Sequence, residues 1–219
     1  MRKKYPLCQY CTKRLTSKFS KTSKSKCYVC KNIFDTFDPI LFNIYEKTSS
    51  FNFKTFNLGL ILKHSYLERD DFLKSKFKIK GIENIKFSIS NELAKKIAKK
   101  TKSKKVIEDP DIFLQVNLKD ESCTIRSKPI FVYGRYNKKI RNLSQKMKSC
   151  EKCNGFGCHN CNFTGLKNIE SVEAKISSFF KEKFGSKQVQ INWIGGEDQS
   201  SLVLGNGSPF FAKIINPKK

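Results

Sequence analysis

The sequence predicts an α+β fold assembled from several small parts, and three observations carry that reading. Ile82, Ile85, Ile89, Leu93 and Ile97 recur at intervals of three or four residues, so one face of a helix is apolar. Ile112, Leu114, Val116 and Leu118 alternate as one face of a strand does. Eight of the nine cysteines fall into four Cys-x-x-Cys pairs, the spacing that lets two thiolates turn onto one ion.

At 219 residues the chain is long enough for one large domain or two to three small ones. Its 44 Lys and Arg against 19 Asp and Glu give a formal charge of +25, which excludes an acidic scaffold and points to a polyanion as partner. Nineteen Phe exclude a wholly disordered basic tail. The most apolar run, Leu58 to Leu62, is too short to span a bilayer, and Met1 to Cys8 carries charge but no apolar segment of a secretory signal. No membrane is expected, and the location is expected to be cytoplasmic.

The elements follow in order. Cys8, Cys11, Cys27 and Cys30 make an N-terminal four-cysteine module over 1–45, with zinc the expected ion. The same spacing also serves redox pairs or disulfides, and iron as well as zinc. Its Ser/Lys-rich connection is expected to be an exposed loop meeting phosphate, since no acidic residue occurs before Asp35. A short helix is expected from Asp38 to Tyr45, with Pro39 in its first turn, then a buried strand from Phe56 to Leu62 and a charged helix from Glu68 to Phe77.

The Ile82 to Ile97 helix carries Lys95, Lys96, Lys99 and Lys100 on its other side; Lys95 and Lys99 are candidate RNA contacts. After the alternating strand, Lys119-Asp120-Glu121 turns the chain and Cys123 to Val132 returns as a second strand, closing a small α+β domain over 46–133.

A basic linker over 134–168 comes next. Arg135, Tyr136, Lys138, Lys139 and Arg141 interleave cations with an aromatic ring, a pattern suited to phosphates and stacked bases and equally to an exposed interdomain connection. Cys150, Cys153, Cys158 and Cys161 form a second, tighter four-cysteine loop; His159 lies inside it as a bystander, and Cys123 is left over. From 169 to 219 Ser171 caps a helix with Val172, Ile176, Phe179, Phe180 and Phe184 on one face. Strands follow at Val189 to Trp193 and Phe210 to Ile215, too few elements to close a core alone.

Taken in order these motifs resemble the THUMP-containing tRNA pseudouridine synthases of archaea and eukaryotes, often called the Pus ten family. The resemblance runs through the paired knuckles, Leu67-Glu68-Arg69-Asp70-Asp71, Asn91-Glu92-Leu93 and Asp109-Pro110-Asp111. It continues through Pro129 to Tyr136, the Cys150 to Gly165 loop and Ser171-Val172-Glu173. The family's loop reads G-R-E-D-x-D-x-R-M-L-G-x-G-R-P-F, where this chain has Gly195 to Phe210. The catalytic aspartate falls on Asp198, while the arginines are replaced at Gly196, Leu202 and Ser208 and the second aspartate at Ser200.

The resemblance implies a THUMP-like domain over 46–133, the start of a mixed α/β synthase domain over 169–219, and two structural zinc ions. It implies tRNA as partner and isomerisation of a T-loop uridine flipped into a pocket. Asp198 would act as nucleophile or base at the ribose while the uracil detaches, turns and reattaches through C5. The chain is expected to be the N-terminal subunit of a split enzyme, with a second protein chain completing the catalytic sheet. The alternative is a tRNA-binding remnant without chemistry.

Overall fold

The computed structural model describes residues 5–15, 26–167 and 170–218. It divides into two compact units, Met1–Arg126 and Ser127–Lys219. The Ser/Lys-rich connection expected to meet phosphate lies outside the described residues.

In the first unit α1 (Gln9–Leu15) and a 3-10 turn (Ile33–Asp35) precede α2 (Asp38–Thr48) and β1 (Thr55–Ile61). Then come α3 (His64–Lys76), α4 (Ile85–Thr101), β2 (Lys104–Lys105), β3 (Ile112–Asn117) and β4 (Ser122–Ser127). The sheet order is β2-β1-β3-β4, and β1 runs parallel to both of its neighbours, with Phe56 opposite Ile112 and Ile61 opposite Asn117. The parallel β1–β2 pair requires a crossover, and α3 and α4, both between these strands in the chain, supply it.

The helix read from Ile82 begins at Ile85, because the Asn84 side chain accepts the Phe87 amide at 2.8 Å and fixes the cap there. Ile85, Ile89, Leu93 and Ile97 are all fully buried. Each such side chain contributes about 1.5–3 kcal/mol through burial, and Ile89→Ala would cost about 2–5 kcal/mol. Against them stand Phe56, Leu58 and Leu60 of β1. On the opposite face Gly59 leaves room for the Phe113 ring; a Cβ there would lie 2.8 Å from it. The four-cysteine segment shares this core, which includes Leu7, Cys11, Cys27 and Cys30 beside Ile89 and Ile112.

Two carboxylates pin the unit together. Asp70, fully buried on α3, accepts from both Arg14 guanidinium nitrogens, from Lys74 Nζ at 3.0 Å and from the Ile85 amide at 3.1 Å. It therefore joins α1, α3 and the start of α4. Asp111 accepts the Lys54 and Thr55 amides, each at 2.8 Å, and sets the first residues of β1 against β3.

The strand expected to run from Cys123 to Val132 is two strands. Pro129 offers no amide to a ladder, and the Ser127 amide turns aside to Asn216 Oδ1 at 2.7 Å. Beyond the break β5 (Ile130–Lys138) enters the second unit, so the boundary expected after Tyr133 falls inside a strand. The order there is β5-β7-β6, with β6 (Gln188–Trp193) and β7 (Val203–Ile215) antiparallel throughout. The strand expected from Phe210 to Ile215 belongs to β7, which lies between β5 and β6 and is paired on both sides.

Between β5 and β6 lies α5 (Val172–Phe184), capped by Ser171 Oγ, which accepts the Ala174 amide at 3.0 Å, and closed by Gly185 at φ 61°. It buries Val172 and Phe180 against Phe210, Ala212 and Ile214, while Phe179, expected on the same face, is 59% exposed. Gly134 lets β5 pass the Phe210 ring, which would stand 2.6 Å from a Cβ at that position.

Candidate functional site

The loop joining β6 to β7 carries Asp198, exposed at its crest. Its Oδ1 accepts the Ser200 amide at 2.8 Å and the Ser200 hydroxyl at 2.9 Å. These bonds, with the positive charge of Lys138 nearby, hold the Asp198 carboxyl below the usual carboxylate range, so it is ionised at neutral pH. One of the residues departing from the family loop, Ser200, thus braces the carboxylate.

Below the crest the loop is tied down by the end of β5 and the segment after it. Lys138 Nζ donates to the Asp198 carbonyl at 3.0 Å, to that of Gln199 at 3.3 Å and to that of Leu143 at 3.1 Å. Arg141 donates to the Ser200 carbonyl at 2.8 Å, and Gln199 Nε2 to the Asn142 carbonyl at 3.0 Å. Arg135 donates to the carbonyls of Asn206 at 2.6 Å and Gly207 at 2.9 Å. A second set of bonds centres on Glu197, whose carboxylate accepts the Tyr136 hydroxyl at 2.7 Å and the Ser208 hydroxyl. Gln145 Nε2 donates to the Tyr136 hydroxyl at 3.0 Å. Burial, and then the bond to Glu197, push the Tyr136 phenol well above its ordinary range.

The structure places two of the expected RNA contacts in the interior of the second unit. Lys138 is 2% exposed and its ammonium donates to three carbonyls; strand alternation puts its side chain on the inward face of β5 with Val132 and Tyr136. Tyr136 is buried edge-on to Trp193 at 5.4 Å and is not a free stacking surface. Arg135 and Arg141 are exposed but engaged with the loop, while Lys139 is exposed. In the first unit Lys95 pairs with Glu92 at 2.6 Å. Lys99 lines an open cavity of about 600 Å³ with Phe42, Tyr45, Lys96 and Lys100.

Glu197, Gln145 and Ser208 were not singled out from the sequence. The signal available was the Glu preceding Asp198 in the loop motif, which a single chain shows only as one more surface acid.

The eight cysteines come together as two groups of four, each with its sulfurs within 4.8 Å of one another. A metal–sulfur bond of about 2.3 Å places tetrahedral ligands about 3.8 Å apart. In the second group Cys150–Cys158, Cys153–Cys161 and Cys158–Cys161 are 3.9, 3.8 and 3.7 Å apart. Backbone amides point at these sulfurs: Gly157 to Cys153 at 3.2 Å, Cys158 to Cys161 at 3.1 Å and Gly165 to Cys161 at 3.3 Å. The bonds from the Cys158 and Gly165 amides pull the Cys161 thiol down to about 6, favouring the thiolate a metal needs. Gly157, at φ 92°, is required because a Cβ would lie 2.8 Å from the Phe163 carbonyl.

In the first group Cys8 and Cys30 are 3.4 Å apart, and Cys11, Cys27 and Cys30 are buried. Both groups fit a tetrahedral metal ion. His159 is exposed against Phe163 and belongs to neither, and Cys123 is buried by itself with its thiol raised to about 11.

Two family profiles match, Pus10 THUMP domain, archaeal, over residues 42–117 and Pus10, C-terminal, over residues 131–219. The chain belongs to the Pus10 family. The tRNA pseudouridine synthase Pus10 of Nitrosopumilus maritimus is 45% identical over 232 residues, covering 99% of this chain and 61% of the relative. Those of Archaeoglobus fulgidus and Cenarchaeum symbiosum are 37% and 30% identical, each covering 89% of this chain and 53% and 48% of the relative. The chain thus spans about half to three-fifths of the length of these curated relatives. They give no support to the second chain expected from the sequence, since each carries its remaining length on its own polypeptide. Among the described residues no helix is long and apolar enough to cross a membrane.

Proposed function

We propose that this chain contributes the tRNA-gripping part and the catalytic loop of a tRNA pseudouridine synthase, with Asp198 as its catalytic residue. The observation that carries the reading is the Asp198 loop: an ionised carboxylate held at an exposed crest by bonds from below, on a chain whose relatives bear that activity by name. The target is a T-loop uridine of tRNA, flipped out so that the carboxylate meets the ribose carbon as the bond to N1 breaks. A loop fixed before substrate arrives spends little binding energy on ordering itself.

Zinc is the ion we assign to both four-cysteine groups, in a structural role, because all eight ligands are thiolates and leave no open position for chemistry. Lys99, Lys139 and the cations beside them supply electrostatic grip on phosphate. The remainder of the catalytic sheet must come from outside the span described, in line with the longer relatives. Reduced thiols and a tRNA substrate suit the cytoplasm.

The test is a pseudouridine assay on an unmodified tRNA transcript, with the chain alone and joined to the rest of the catalytic domain. Asp198→Ala should abolish the activity and leave tRNA affinity within about twofold. A fully active Asp198→Ala variant would refute the assignment.

A further inference from the structure

Among the basic residues of the second unit, Lys138 has an unusual setting. Its ammonium is buried, and all three of its acceptors are neutral carbonyls. Withdrawing an ammonium from water is expensive even when its hydrogens are satisfied, and an aliphatic side chain would fill the same volume without that cost. Two of the carbonyls, those of Asp198 and Gln199, belong to successive peptide groups of the candidate catalytic loop. The third, that of Leu143, belongs to a segment fixed elsewhere: Val172, the first residue of α5, donates its amide to the Ser144 carbonyl at 3.0 Å. One ammonium therefore anchors the peptide bearing the carboxylate to the body of the unit. Arg141 repeats the device one residue on, at the Ser200 carbonyl.

The loop itself supplies no cation. From Ile194 to Leu202 it holds no Lys or Arg, and Ser200 gives the Asp198 carboxylate only hydrogen bonds.

We propose that Lys138 is the positioning residue for Asp198: it fixes the peptide that carries the carboxylate and provides, from beneath, the positive charge that the loop lacks. The role assigned rests on the reading of Asp198 as catalytic; the clamp does not. Removing the ammonium unties the Gln199 carbonyl from the body of the unit and leaves the Asp198 carbonyl to the Ser201 amide and hydroxyl of its own loop, so the Ser200 amide loses its fixed approach to the carboxylate.

Lys138→Met keeps the length of the side chain and removes the charge; Lys138→Arg keeps the charge. In the folded Met variant, carboxyl-resolved NMR should show the Asp198 titration moving up toward the ordinary carboxylate value, and exchange of the Ser200 and Ser201 amides should quicken about tenfold. The Arg variant should restore most of both. If the Met variant fails to fold, Arg141→Gln, which removes the exposed brace, should still quicken Ser200 exchange by about threefold. In the synthase with its whole catalytic domain, Lys138→Met should lower the single-turnover rate about a hundredfold at saturating tRNA, with affinity within twofold.

A folded Met variant with unchanged Asp198 titration and unchanged Ser200 exchange would overturn the clamp. A shifted titration with an undiminished rate would overturn the positioning role. An active Asp198→Ala would overturn the catalytic reading on which that role rests, whatever the NMR measurements show of the clamp.

Discussion

Asp70 is the most exacting place to test how the first unit is held together. Asp70→Ala removes a carboxylate with no exposed surface and strips the partner from Arg14, whose side chain is only 8% exposed. Lys74, at 17% exposure, can turn to water. Arg14 has less freedom: among the described residues its Nε is buried without a partner, and apart from Asp70 it bonds the Glu83 carbonyl at 2.8 Å. The Ile85 amide also loses its acceptor at the first turn of α4.

Breaking a buried ion pair from one side costs about 3–5 kcal/mol, because the surviving charge stays uncompensated. Against a total stability of about 5–15 kcal/mol that is a melting point lower by roughly 10–20 °C. Urea denaturation followed by circular dichroism would measure the loss, and amide exchange at Ile85 would localise it. The double change Arg14→Met with Asp70→Leu removes both charges and should recover most of the deficit. A loss below about 1 kcal/mol for Asp70→Ala, or a double variant no more stable than the single one, would refute this account.

Three further outcomes follow from the site. Cys153→Ser removes one thiolate and the acceptor of the Gly157 amide, and should cost the protein one of two metal equivalents by native mass spectrometry; retention of both would show the loop to need only three sulfurs. Replacing Lys96, Lys99 and Lys100 by Ala should flatten the dependence of log affinity for tRNA on log salt by about two, and an unchanged slope would move the footprint off this cavity. Because Tyr136 has a raised folded pKa, its contribution to stability is fully present below the unfolded value near 10 and is lost as pH rises toward the folded one. Stability should therefore fall more between about pH 10 and 11 in the wild type than in Tyr136→Phe, and equal falls would contradict the assignment.

Periodicity was legible wherever one face of an element meets a core. Ile85 to Ile97 and Ile112 to Leu118 could be read because burial imposes the 3.6 and 2 residue repeats directly. The cysteine groups were legible because two intervening residues suit shared ligation whatever surrounds them. In the basic stretch from Arg135 to Arg141 the sequence does not separate the buried cation from the exposed ones, because a cation aimed at phosphate and one aimed at backbone carbonyls are the same letter. Strand alternation decides which way Lys138 points, and it does so only because β5 runs unbroken through Tyr136 to Lys138. The break at Pro129 was written in the sequence, but its consequence, a strand joining a different sheet, depends on pairing with β7 some eighty residues later. Asp70 lay within a recognised motif yet gave no hint of burial, since its partner Arg14 is 56 residues away.

The shared core of the first unit joins two quantities usually measured apart. Cys11, Cys27 and Cys30 are packed with Ile89, Leu93 and Ile112, so the residues that would hold an ion also hold the THUMP sheet. A metal that binds only the folded form adds stability as the logarithm of its free concentration over its dissociation constant, about 4 kcal/mol at a thousandfold excess. The melting point of the THUMP fold thereby becomes a gauge of metal supply. A chelator should act on it as a denaturant, loosening the sheet with every one of its own residues unchanged.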